Sequence, residues 1–118
     1  MGNQDRAVVF KPGLKKIDFV SSEAFADSLA ESLGKGKKIV LDLSNVQFVD
    51  SSGLGKIVAA ARVARERGGD MRICGAQEPV MVLFAMVRLG EVVGIDEDAE
   101  ASATKLADDA STQAGQSS

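Results

Sequence analysis

A chain of 118 residues with 45% apolar content is the size of one compact domain and carries enough apolar side chains for a core. It has no His, which removes Ser-His-Asp and Cys-His catalysis and the commonest transition-metal ligand, and its single cysteine, Cys74, cannot form an internal disulfide. The net charge of −3 is uneven, with −5 on residues 96–118 and +2 on residues 1–95, so the body of the chain is nearly neutral.

The chain opens without an apolar signal segment, and no apolar run approaches the roughly 20 residues a membrane helix needs. A soluble cytoplasmic protein with no membrane part is expected. Residues 7–10 read as a first strand, ended by a turn at Pro12 and Gly13. Ser21, Ser22 and Glu23 open a helix with Phe25, Leu29 and Leu33 on one face, closed by Gly34. Lys35, Lys37 and Lys38 come next. With no aromatic platforms and no nucleic-acid motif they read as a solvated loop, and no nucleic-acid partner is expected.

Over residues 38–43, Ile39, Val40, Leu41 and Leu43 form an aliphatic run broken only by Asp42, the pattern of a central strand. Residues 44–49 form a connector. Apolar residues then recur at Leu54, Ile57, Val58, Ala61 and Ala64, the spacing of one helix face, so a helix starts near Ser51 or Ser52 and runs to about Arg67. Gly68 and Gly69 stop it. Residues 71–74 are a further strand, with Cys74 as a small core residue. Pro79 suits the first turn of a helix to about Leu89, with Gly90 as its stop. A last strand spans residues 92–95, and an Asp/Glu-rich start leads into a final helix through about Leu106. Residues 110–118 are rich in Ser, Gln, Gly and Ala and are expected to be disordered, leaving 1–109 as the domain. Such alternation predicts an α/β fold, a mostly parallel mixed sheet of four to five strands packed with about four helices.

The segment Asp50-Ser51-Ser52-Gly53-Leu54-Gly55 stands where the connector becomes a helix. Asp and Ser suit that place because their oxygens accept from unpaired first-turn N–H groups, and the same N–H groups and the helix dipole favour an anion. Gly53 and Gly55 are expected to leave the surface bare for the close approach of another protein. The segment reads either as plain helix capping or as a phosphoryl-accepting site without catalytic apparatus. A phosphate loop would need Gly where Asp50 stands and Ser or Thr where Ile57 stands. A receiver domain would need an acidic pair after the first strand, where Phe10, Lys11 and Pro12 stand. No enzyme activity, cofactor or metal is expected.

The ordered run of Leu41-Asp42-Leu43-Ser44, Asn45-Val46-Gln47-Phe48-Val49, the hexapeptide, a helix, and Gly68-Gly69-Asp70-Met71-Arg72-Ile73 resembles the STAS domain, and among its members the small bacterial anti-sigma-factor antagonists. The resemblance covers roughly residues 8–106. One departure lies in the amino-terminal hairpin, where relatives carry Gly-x-Leu-Asp and this chain has Gly13-Leu14-Lys15-Lys16-Ile17-Asp18-Phe19.

The resemblance implies a partner-switching protein. The serine after the aspartate, here Ser51 ahead of Ser52, would be phosphorylated by an anti-sigma factor that is also a serine kinase, and phosphorylation would end binding. ATP and Mg²⁺ would belong to that kinase, and a metal-dependent serine phosphatase would reset the switch. Partner contacts are expected around Asp50, Ser52, Gly53 and Gly55 and along Lys56, Ala59 and Val63. The resemblance also places Val80, Leu83 and Phe84 in the core. That leaves Met81, Val82, Ala85 and Met86 either as an exposed patch for a partner or a homodimer, or as part of a helix buried on all sides. The alternative is a constitutive scaffold of the same fold, in which Ser51 only caps a helix.

Overall fold

The computed structural model describes residues 7–116. Strand β1 (Val8–Phe10), β3 (Lys38–Asp42), β5 (Asp70–Cys74) and β6 (Gly94–Asp96) form a four-stranded sheet in the order β1-β3-β5-β6. Strand β2 (Lys16–Ile17) and β4 (Phe48–Val49) form a separate two-stranded ribbon. All pairings among the described residues are parallel, as expected where helices connect the strands. The helices are α1 (Ser22–Leu33), α2 (Ser51–Glu66), α3 (Glu78–Met86) and α4 (Ala99–Gln116).

The period of two in β3 sets the layers. Ile39 and Leu41 lie beside Met71 and Ile73 of β5 and are buried with Phe25 and Leu29 of α1 and Ile57 and Ala61 of α2. The residue between them, Val40, faces the other way and is buried with Cys74 and with Leu106 of α4. Phe10 stacks on Phe25 at 6.3 Å between centroids, tying the edge strand to α1.

Several elements differ from the pattern-based expectation. The connector 44–49 holds a strand, since Phe48 and Val49 pair with Lys16 and Ile17. The amino-terminal hairpin is replaced by this ribbon, because β2 pairs with β4 and not with β1. Helix α3 ends at Met86 because Arg88 takes positive φ (55°), and residues 89–91 form a 3-10 turn that buries Leu89. The last strand is displaced to Gly94–Asp96 as a result. The buried face of α2 is Gly53, Ile57, Ala60, Ala61 and Ala64, while Leu54 and Val58 are half-buried at its edge. The backbone of α4 continues to Gln116, so helix covers most of the stretch expected as a tail. Once a docked first half has nucleated it, each added residue costs little, and Ala107, Ala110 and Ala114 favour helix. Ser117 and Ser118 lie outside the described residues.

Candidate functional site

The β2–β4 ribbon builds the site. Gln47 and Phe48 donate backbone N–H to the Lys15 carbonyl at 2.7 and 3.2 Å, and Asp50 donates to the Ile17 carbonyl at 3.2 Å. This places Asp50 at the start of α2 beside the turn that follows β2. One carboxylate oxygen of Asp50, Oδ1, accepts from the N–H groups of Ser52 (2.8 Å) and Gly53 (3.0 Å), which caps the helix. The other, Oδ2, accepts from the Phe19 N–H at 3.0 Å. Asp50 therefore bridges two elements and has no bond to the Ser51 hydroxyl among the described residues.

Ser51 is the first residue of α2 and is exposed. Its hydroxyl makes no hydrogen bond among the described residues. Ser52 is half-buried. The Leu54 N–H donates to the Asp50 carbonyl at 2.9 Å, so of the first-turn amides only that of Ser51 is without a partner among the described residues. A phosphate on Ser51 would gain from the helix dipole but would meet the Asp50 carboxylate and few open N–H donors.

The two glycines play different parts. Gly53 is buried, and a Cβ there would run into the Ile17 carbonyl and lie 2.7 Å from Ile17 Cγ2. It is a packing glycine that lets α2 sit on β2, which corrects its placement on the partner surface. Gly55 is exposed, with nothing within 4 Å of a Cβ. Ser51, Gly55, Ala59 and Val63 fall four residues apart, so they form one exposed line down α2. Lys56 lies beside it, half-buried, its Nζ 3.1 Å from Glu23 of α1.

The turn after β2 contributes residues that the sequence pattern missed. Phe19 and Val20 are 80% and 88% exposed, and Phe48 on β4 is 48% exposed. The turn is firmly built. Asp18 Oδ1 accepts from the N–H groups of Val20 and Ser21, both at 3.1 Å, and Ser21 Oγ donates to the Lys16 carbonyl at 2.8 Å. The Ser21 backbone N–H above all, together with the Ser21 hydroxyl, the Val20 N–H and the Lys16 charge, outweighs desolvation and lowers the Asp18 pKa. The usable signal was Asp18 three residues before Ser21, an arrangement that closes a turn and leaves the two residues between them outside any element.

Helix α3 buries Val80 and Phe84 and exposes Met81, Val82, Ala85 and Met86, the patch expected of it. The structure does not put that patch on the Ser51 line. Met81 instead borders a cleft of about 650 Å³ that it shares with Gly75, Ile95, Asp96 and Lys105. Among the described residues no cluster of metal-ligating side chains is found, and no helix is long and apolar enough to cross a membrane.

This arrangement of sheet, ribbon and exposed helix start coincides with a match to the STAS domain family over residues 3–102, and the chain belongs to that family. It is 38% identical over 68 residues to an anti-sigma F factor antagonist of Paenibacillus polymyxa, a stretch that covers 58% of each protein. The match thus spans less than two thirds of that relative's length. To an anti-sigma-B factor antagonist of Bacillus subtilis it is 25% identical over 85 residues, 72% of this chain and 78% of the relative. Among solved structures, an anti-sigma factor antagonist from Mycobacterium paratuberculosis superposes with a TM-score of 0.75 at 19% identity, covering 86% of each chain, a likeness of fold.

Proposed function

We propose that the chain is an anti-sigma-factor antagonist of the cytoplasm whose unphosphorylated form docks an anti-sigma factor with serine kinase activity. Docking uses the Ser51, Gly55, Ala59 and Val63 line, flanked by Phe19 and Val20, and frees the factor's client. Phosphorylation of Ser51 ends it, and a metal-dependent serine phosphatase restores it. The chain acts by binding and performs no chemistry; ATP and Mg²⁺ are the kinase's. The carrying observation is that Asp50, not Ser51, caps α2, so the exposed Ser51 hydroxyl is left without a structural task. This also counts against the scaffold alternative, which gives Ser51 the capping role.

The energetics are adequate. A phosphate adds about −1.5 to −2 charges at neutral pH, and burying it unpaired costs several kcal/mol. Since about 1.4 kcal/mol is tenfold in affinity, one phosphate suffices to separate the partners. The test is calorimetric titration of the cognate anti-sigma factor with the chain before and after phosphorylation. Tight binding only before modification is expected, and equal affinity in both states would return the scaffold alternative. Self-association through Met81, Ala85 and Met86 is a separate expectation, tested by sedimentation of wild type against Met86→Glu.

A further inference from the structure

At the end of α2 remote from Ser51, the C-terminal ends of α1 and α2 and the loop between α1 and β3 enclose a cleft of about 340 Å³. Lys35, Lys37 and Arg67 make its polar wall, Leu33 and Ala64 its floor, and among the described residues no carboxylate or aromatic ring lines it. Other cations of the chain, such as Lys56, Arg65, Arg72 and Lys105, pair with acids. Lys35, Lys37 and Arg67 form no ion pair among the described residues.

Two helix C-termini would ordinarily repel an anion through their open carbonyls. In α1 those carbonyls are closed. Ala30 and Glu31 accept from the Gly34 N–H at 3.1 Å, Ser32 from the Lys35 N–H at 3.0 Å, and Leu33 from Arg67 Nη1 at 3.3 Å. The last bond holds the guanidinium at the cleft and leaves its other N–H donors available. The N–H groups of Gly36 and Lys37 have no partner among the described residues.

Among the described residues, three unpaired cations, two open amides and no acid define a site for an anion of more than one charge. Its volume is at the small end of ligand sites, about 300 to 1,000 Å³. With no ring on which a base could stack, the phosphates alone are recognised. We propose that this cleft binds a small polyanion with linked phosphates, of the pyrophosphate class. The lysines that read as a solvated loop in the sequence acquire this role because α2 brings Arg67 to them from far along the chain. Ser51 and Arg67 are separated by about 24 Å at 1.5 Å per residue, well beyond the screening length of about 8 to 10 Å. The cleft therefore loads whether or not Ser51 is modified, and this inference is independent of the proposed function.

The test is titration of the full chain with sodium pyrophosphate at low salt, followed by backbone amide NMR, with sodium sulfate at matched ionic strength as control. Saturable shifts centred on Gly36, Lys37 and Arg67 are expected, with weaker effects from sulfate. The double variant Lys35→Gln and Lys37→Gln alters two exposed side chains, keeps the remaining spectrum, and should lose about tenfold or more in affinity, as charge-assisted contacts are removed. Shifts that fail to saturate, shifts spread over every surface lysine, or wild-type affinity in the double variant would each overturn the site.

Discussion

Ser51 and Ser52 are identical side chains one residue apart, and what separates them is exposure. The Ser51 hydroxyl faces solvent with no partner among the described residues, whereas Ser52 is half-buried. Incubation with the cognate kinase and ATP is expected to phosphorylate wild type and Ser52→Ala but not Ser51→Ala, and site mapping by mass spectrometry checks this. The neighbouring glycines divide in the same way. Gly53→Ala drives a methyl into the backbone of β2 and should cost about 1 to 3 kcal/mol, because neither partner is the end of a flexible side chain. Gly55→Ala meets open space within a helix and should stabilise by about 0.5 to 1 kcal/mol. Denaturant unfolding of the two variants should therefore move in opposite directions. The hexapeptide itself was legible in the sequence, but this division was not, since it depends on the Ile17 carbonyl behind Gly53, contributed from more than thirty residues away.

Among the elements, those with a long periodic signal were legible. Helix α1, strand β3 and helix α2 lie where Phe25, Leu29 and Leu33, the run from Ile39, and the Ile57 and Ala61 spacing put them. The two-residue strands β2 and β4 were not, because Lys16, Ile17, Phe48 and Val49 are too few to show a period. Their ribbon is nevertheless what joins Phe19 to Asp50, so the part of the site built from non-local pairing was the part left unseen. Helix α4 is a third case. Its docking contacts lie in its first turns, where Ser102 Oγ donates to Asp96 at 2.7 Å and Leu106 is buried against Val40 and Cys74. Truncation after Asp109 keeps all of these and is expected to change the melting temperature little. Leu106→Ala should cost about 2 to 5 kcal/mol, and equal losses from both changes would show that the distal turns are also docked.

For the molecule as a whole, two buried side chains make stability depend on pH, one on the acid and one on the alkaline side. Burial works against ionisation of Asp96, but hydrogen bonds from Arg72 and Ser102, the Arg72 charge and Lys105 hold its carboxyl below the usual range. The unfolded carboxyl takes up its proton first, near pH 3.9. The contribution of Asp96 is therefore complete above that value and is lost as pH falls through the folded value. At the other end, burial above all, then the charges of Asp42, Asp98 and Asp96, push the Cys74 thiol up to about 11. The unfolded thiol ionises near 8.5, so stability declines as pH rises from there towards the folded value. Thermal melts across pH should show both limbs, with the acid limb shallower in Asp96→Asn and the alkaline limb shallower in Cys74→Ala.

The same molecule places the exposed Ser51 at one end of α2 and the cleft of Lys35, Lys37 and Arg67 at the other. In the proposed function, binding around Ser51 depends on a bare helix surface, so charge or bulk there should matter even when the fold is intact. Calorimetric titration of the cognate anti-sigma factor against wild type, Ser51→Asp, Gly55→Arg and Ala59→Glu tests this most directly, with each variant first shown to be folded. Tight binding by wild type and a loss of about tenfold or more in each variant are expected, that for Ser51→Asp being smaller than for the phosphorylated chain because a carboxylate carries one charge on a smaller group. Wild-type affinity in all three variants would contradict it and move the interface to Met81, Ala85 and Met86 on α3.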